Sequence, residues 1–431
     1  MAASDPFDAI VVGGGIVGLW AALDLGLRGA RVALVERAWP GAGTSGKFHG
    51  LLHSGGRYVV RDPVSARECV EENRVLRRVM PHAVAATGGF FVALSGAEER
   101  FYDTWAEAAR AAGVPFREVP VGEALREEPA LNPRARLVVE VPDGVVYALE
   151  SLSSVAATAW LEAGAAVAAG VEAVGFERRG GSLVARLRDR VGGSVFTLEA
   201  RVVVNAAGPW APRVAALAGL RLGMNPVAGT VLAYPLPLLG RVVNRLRPPS
   251  DGDILVPYGP VLLAGTTAFP VQGPSAEPRP GDVELLAREA AEMLPRLRGV
   301  GPSRVFASVR PLAEKGGGRE ASRSFRVVAH EELPGFISVV GGKYTTARLV
   351  AEHVGAAASR LLGLPEGPVT RSRVLLGGDP LGLLREVAPL DARRLEEAPG
   401  MDWERVRAAA YARLLEKTVE AGRAALGLGV A

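Results

Sequence analysis

The alternation of apolar and polar positions is clearest at the start of the chain. Asp8 to Val12 is a short apolar run of strand length, and Gly13-Gly-Gly-Ile-Val-Gly18 follows it. Ile16 to Arg28 then has helical character, Gly29 stops it, and Arg31 to Val35 is a second strand-length run that ends in Glu36. This order predicts a strand, a tight turn, a helix and a second strand. Two later segments read as returns to the same sheet. Ala200 to Gly208 is a strand running into a small-residue turn, and Phe336 to Thr346 is a strand, a glycine pair and the start of a helix through Ala356. Ser151 to Phe176 is Ala-rich but broken by Glu162, Gly164, Gly170 and Glu172, so it reads as a helix followed by a strand.

The segments between these returns have a different pattern. A polar helix is predicted at Pro63 to Met80, a strand at Gly88 to Leu94 and a helix near Glu98 to Ala112. Further strands are predicted at Thr230 to Tyr234, Asp253 to Pro257 and Val261 to Thr266, then a Pro-rich loop, Phe269 to Pro280, and a helix at Val283 to Leu294. Gly377 to Ala431 is mostly helical, most strongly at Asp402 to Ala425. The expected fold is α/β. Residues 1–60, 145–225 and 300–368 form a Rossmann-like, three-layer nucleotide-binding domain with a mostly parallel sheet. Residues 61–144 and 226–299 form an inserted mixed-sheet substrate domain, and residues 369–431 a C-terminal helical segment.

The turn after the first strand fits G-x-G-x-x-G at Gly13, Gly15 and Gly18. Glycine makes up 53 of 431 residues, so the pattern alone would arise by chance; the strand before it, the helix after it, the second strand and the acid at its end carry the reading. Gly13 makes the tight turn, Gly15 lets backbone approach a pyrophosphate, and Gly18 lets helix pack on strand. The helix N-terminus offers N–H groups and positive partial charge to phosphates. Glu36 suits a ribose hydroxyl and disfavours a 2′-phosphate; Arg37 beside it is a candidate at the same end. No second full fingerprint appears, which argues against a reductase with two dinucleotide sites.

Composition narrows the classes further. Lys+Arg is 50 against 46 Asp+Glu, a net charge of +4 and too small a surplus to imply nucleic acid. Cys69 is the single cysteine, which excludes a disulfide framework, a cysteine zinc site and a cysteine-ligated iron–sulfur cluster within the chain. No metal site is expected. The lack of disulfides and of a basic leader in Met1 to Phe7 points to a cytoplasmic protein. No uncharged apolar run reaches the roughly 18 residues that span a bilayer, so any membrane contact would be peripheral.

The segment from Gly43 to Tyr58 reads Gly-Thr-Ser-Gly-Lys-Phe-His-Gly-Leu-Leu-His-Ser-Gly-Gly-Arg-Tyr. It holds two of the five histidines, His49 and His53, with Lys47, Arg57 and Tyr58 among glycines. It resembles the flavin-linked glycerol-3-phosphate dehydrogenases, within the D-amino-acid-oxidase-like flavoproteins, and is closest to the catalytic large subunit of the anaerobic type. Three further segments match in order: Asp62-Pro-Val-Ser-Ala-Arg-Glu-Cys-Val-Glu-Glu-Asn73, Asn244-Arg-Leu-Arg-Pro-Pro-Ser-Asp-Gly-Asp-Ile-Leu-Val-Pro257, and Ser308-Val-Arg-Pro-Leu312 followed by Gly341-Gly-Lys-Tyr-Thr-Thr-Ala-Arg348.

The resemblance implies FAD as the cofactor and sn-glycerol 3-phosphate as the substrate, oxidised at C2 to dihydroxyacetone phosphate. The flavin would lie near Thr44, Ser45, His49, Gly342 and Thr345, with Gly208 also against the cofactor. Arg57, Tyr58, Arg310, Arg323 and Lys343 would surround the substrate. The chemistry is consistent: guanidinium groups grip a phosphate with two-pronged geometry. Oxidation of the secondary alcohol needs loss of the hydroxyl proton and hydride transfer to flavin N5. His53 suits the first step, and Arg310 would stabilise the developing alkoxide. His53 could equally be a structural hydrogen-bonder; His82, His330 and His353 read as packing or surface residues. Lys315 to Arg319, rich in glycine, is expected to be a mobile loop near the site entrance.

The family's anaerobic large subunit commonly continues into a cysteine-containing C-terminal domain. Here the last sixty or so residues are helical and without cysteine, which puts an intrachain iron–sulfur relay and the three-subunit complex in question. A quinone is the expected acceptor by analogy, the alternatives being oxygen or a partner subunit, and an oligomer is left open. Two other readings stand beside this one: an FAD oxidase of another small anion, such as a 2-hydroxy acid or an N-alkyl amino acid, and a non-catalytic flavin-binding subunit.

Overall fold

The structure, a computed structural model, describes residues 6–313, 324–400 and 402–429. Strand β1 (Phe7–Val12) is apolar at every position but Asp8, and Ala9 to Val12 are buried on both faces. It lies between β2 (Val32–Glu36) and Val195–Asn205, parallel to both, with Val12 opposite Val35 on one side and Asn205 on the other. The parallel core extends through Ala166–Ala169 on the β2 side and Phe336–Gly341 beside Val203 to Asn205. Antiparallel strands Val171–Arg179, Ser182–Asp189 and Phe325–Ala329 complete an eight-stranded sheet.

Alternate residues of β1 serve different layers. Ala9 and Val11 pack with helix α1 (Ile16–Leu27) and the helices Ala148–Leu161 and Ala347–Leu362. Ile10 and Val12 pack with Leu183, Ala185, Leu187 and Phe336 on the opposite face. Helices thus cover one face of the sheet, and on the other the short helix Ala211–Ala216 adds Ala215 to the packing.

The second sheet is mixed and nine-stranded. It draws Gly89–Ala93, Arg117–Val119 and Leu137–Val141 from one excursion of the chain, and Asn225–Tyr234 to Phe269–Pro270 from another. The two excursions join through a parallel pair, Val242–Arg245 with Gly89–Ala93. One domain boundary needs correction. Arg304–Leu312, placed from the sequence in the nucleotide-binding domain, pairs antiparallel with Asn225–Tyr234 along nine positions, with Arg310 opposite Val227. It belongs to the second sheet, which its alternating polar and apolar residues suit.

Helix α2 (Pro63–Val79) joins the two parts. Asp62 caps it, accepting from Ser65 N at 3.1 Å, and Arg77 and Arg78 occupy its last turn. Arg348 at the start of the helix Ala347–Leu362 grips Glu72 with Nε and Nη2, at 2.9 and 2.6 Å, and Glu352 with Nη1. Burial pushes the Glu72 carboxyl up, and Arg348 opposes that shift. The C-terminal helix Trp403–Ala425 packs on the helix Ala148–Leu161 and the edge strand Ala166–Ala169 of the first sheet. Its Arg423 donates to Ala169 O and to the Asp189 carboxylate. Among the described residues no helix is long and apolar enough to cross a membrane.

Candidate active site

The glycine turn is built from close contacts. Gly13 has φ +113°, and a Cβ there would sit 2.6 Å from Ala206 O; a Cβ on Gly18 would sit 1.9 Å from Gly13 O. Gly18 therefore packs helix against strand and does not line the cavity, whereas Gly13 and Gly15 do. Ser45 Oγ accepts from Ile16 N at 3.0 Å, at the helix start. Glu36 accepts from Gly14 N at 2.7 Å with one oxygen and from Ala38 N at 2.8 Å with the other. The carboxylate thus shapes the turn it was expected to serve. Arg37 lies over the Trp210 ring, 4.8 Å from its centroid.

One cavity of about 1010 Å³ runs from this turn into the space between the two sheets. Along its wall, Thr44 Oγ1 donates to Val309 O at 2.7 Å and His49 Nδ1 accepts from Leu51 N at 3.1 Å. Phe48 and Tyr344, also in the wall, stack with ring centroids 4.1 Å apart. Gly208, with φ +53°, faces the cavity, and a Cβ there would meet nothing within 4 Å. Gly341 and Gly342 hold φ values of +93° and +84°, which turn the chain from the strand toward Ala347–Leu362.

The same cavity is lined by His53, Arg57, Tyr58, Arg310 and Lys343, which come from three stretches of sequence. His53 is buried, its N–H donating to Thr345 Oγ1 at 3.1 Å and its carbonyl accepting from Asn73 Nδ2 at 3.2 Å. Its Nε2 lies 3.4 Å from Tyr58 Oη. Lys343 Nζ donates to Ser65 Oγ at 3.0 Å and lies 5.1 Å over the Tyr58 ring. Arg310 Nη2 donates to Thr266 Oγ1 at 2.8 Å and Thr267 O at 2.9 Å, crossing the face of Gly229. Arg57 Nη2 donates to Asp253 at 3.2 Å. Just behind, Asp143 accepts from Ser54 N and Asn244 Nδ2; burial pushes its carboxyl up, opposed by these bonds and by Arg57.

Thr345 stands behind the cavity wall. It is fully buried and supports His53 from behind instead of lining the cavity. Arg323 and the Lys315 to Arg319 loop lie outside the described residues. Several supports went unnoticed in the sequence: Ser65 under Lys343, Thr266 under Arg310, Asn73 under His53 and Asp253 under Arg57. Ser65, Asn73 and Asp253 stand inside the matching segments, which was the available signal. Cys69 is fully buried and its thiol is pushed up to about 12 by burial, so it is no nucleophile. His82, bonded to Ser154 Oγ at 2.7 Å, is held down to about 4, chiefly by burial and then by Arg407.

A cavity at the top of the range for ligand pockets, roughly 300–1,000 Å³, with a side-chain-free turn at a helix N-terminus and a carboxylate at the end of the next strand, fits a flavin dinucleotide. The family of FAD dependent oxidoreductases called DAO matches residues 8–353, and the chain belongs to it. Its cofactor is FAD. One relative is a subunit of the anaerobic glycerol-3-phosphate dehydrogenase of Escherichia coli (strain K12), to which the chain is 36% identical over 408 residues, covering 92% of this chain and 74% of that one. Another is a subunit of the anaerobic glycerol-3-phosphate dehydrogenase of Haloferax volcanii, 36% identical over 396 residues, covering 88% and 67%. Among solved structures, the glycerol-3-phosphate dehydrogenase from Bacillus halodurans complexed with FAD superposes with a TM-score of 0.69 at 22% identity, over 99% of this chain and 81% of that one.

Proposed function

We propose that this oxidoreductase converts sn-glycerol 3-phosphate to dihydroxyacetone phosphate by oxidation at C2, and passes the electrons to a quinone or another acceptor. The observation that carries the reading is the set of cations in the wall of one cavity: Arg57, Arg310 and Lys343, with His53 and Tyr58. A phosphate dianion needs several fixed donors, whereas a lone carboxylate needs fewer. The relatedness to subunits of anaerobic glycerol-3-phosphate dehydrogenases points the same way.

FAD, held along Gly13, Gly15, Glu36, Thr44, Ser45, Gly208 and Gly342, supplies the two-electron acceptor. The chain does the rest. Arg57 and Lys343 bind the phosphate and fix the substrate's position. His53, its backbone held by Thr345 and its ring beside Tyr58 Oη, takes the proton from the C2 hydroxyl. Arg310, anchored by Thr266 and Thr267, stabilises negative charge developing on the C2 oxygen. The acceptor is met at the inner face of the cell membrane, through a peripheral contact.

The test is reduction of the purified flavoprotein without oxygen. Bleaching of the visible flavin band by glycerol 3-phosphate supports the reading. Bleaching only by lactate- or sarcosine-like compounds would assign the site to another small anion. A yellow protein that no small substrate bleaches would be a flavin-binding subunit.

A further inference from the structure

Arg245 and Arg247 take no part in the mechanism above, yet they are joined to it. Asp253, its side chain fully buried, accepts from Arg57 Nη2 at 3.2 Å through Oδ2 and from Arg247 Nε at 2.7 Å through Oδ1. Ser250 N also donates to Oδ2. Arg247 Nη2 reaches Glu289 at 2.8 Å; Glu289 lies 3.5 Å from Arg245 Nη1, and Arg245 is bonded to Glu98. Three guanidinium groups and three carboxylates therefore alternate as Arg57, Asp253, Arg247, Glu289, Arg245, Glu98. Of these six, Arg57 alone lines the cavity.

A carboxylate facing one arginine favours a two-pronged pair that occupies both oxygens and two guanidinium nitrogens. Here Asp253 is denied that geometry, because Arg247 holds its Oδ1. Arg57 is anchored by one oxygen and one nitrogen. We infer that Arg247 is a positioning residue which, through Asp253, fixes Arg57 at the cavity wall and keeps its remaining donors available for a phosphate oxyanion. Without Arg247, Asp253 turns both oxygens to Arg57 and competes with the ligand. Glu289 and Glu98, on the helices Pro280–Met293 and Gly96–Ala112, tether the chain of charges to the second domain. This inference rests on the reading of the site as one for a phosphate ester.

The experiment uses the holoenzyme and the variants Arg247→Met and Arg247→Lys, each checked for flavin content and melting temperature. Arg247→Met is expected to raise KM for glycerol 3-phosphate and the inhibition constant of inorganic phosphate together, by about 10–100-fold, with kcat changed far less. The loss in kcat/KM should be at least roughly tenfold greater for the phosphate ester than for glycerol, the same alcohol without the phosphate. Arg247→Lys, which restores a cation opposite Oδ1, should recover part of the loss. A flavin-loaded Arg247→Met with unchanged constants, or with equal losses on both alcohols, overturns the inference. Should Arg247→Met fail to fold, Arg247→Lys carries the same test with a smaller shift. Should glycerol 3-phosphate not reduce the unmodified protein, the functional reading fails by itself. Perturbation of the flavin spectrum by inorganic phosphate then decides the role of Arg247: weaker phosphate binding in the variants supports it, and equal binding overturns it.

Discussion

One part of the cavity wall is backbone, supplied by Gly13, Gly15 and Ile16 within a single turn; another is side chain, supplied by His53, Arg57, Tyr58, Arg310 and Lys343. The first part depends on what is missing, since any Cβ at Gly13 or Gly18 collides with main chain. The second depends on what is present and on how it is braced: Lys343 by Ser65, Arg310 by Thr266, Arg57 by Asp253. A backbone site is written in consecutive residues and tolerates little change. A side-chain site is assembled from distant strands, and each member can be removed singly without dismantling the rest.

That contrast can be broken by experiment. Gly18→Val is expected to give the largest effect, a protein purified without flavin, because its Cβ would sit 1.9 Å from Gly13 O, a main-chain atom that cannot yield; the ratio of flavin to protein absorbance measures it. Arg310→Ala should retain full flavin but lose about 10²–10³-fold in kcat/KM for glycerol 3-phosphate, read by steady-state kinetics. The exposed Arg178→Ala, which gives up only a bond to Pro334 O, should be indistinguishable from the parent. Flavin loss in Arg310→Ala would show that the two parts are not separable.

Smaller effects sharpen the comparison. Glu72→Gln breaks the buried pair that fastens α2 to the helix Ala347–Leu362, and should cost about 3 kcal/mol of stability, measured by urea unfolding, while the flavin stays bound. His82 does not line the cavity. Its folded pKa, about 4, lies below the ordinary 6.5, so its contribution is present above pH 6.5 and is lost as pH falls toward 4. His82→Gln should flatten that part of the stability profile, followed by thermal melting across the range, and leave flavin reduction unaffected.

The same contrast explains how far the sequence could be read. The βαβ unit was legible because its signals are contiguous: apolar run, glycines, helix, apolar run, acid. The second sheet was legible only as scattered strands. Arg304–Leu312 was given to the wrong domain because its partner, Asn225–Tyr234, is far away along the chain and nothing local names it. Within the motif Gly341 to Arg348, sequence could not tell Lys343, which lines the cavity, from Thr345, which is buried behind His53, in a segment that follows the left-handed turn at Gly341 and Gly342. Asp253 escaped for a related reason. A carboxylate among arginines reads as ordinary charge balance until the fold sets it at 3.2 Å from Arg57.

The order in which the chain visits its sheets constrains how the protein is made. The second sheet cannot close until Arg304–Leu312 has joined Asn225–Tyr234, and the central sheet lacks Phe336–Gly341 until later still. A nascent chain therefore carries its nucleotide turn long before it can enclose a cofactor, which must wait for Arg304–Leu312 and Phe336–Gly341 to be made.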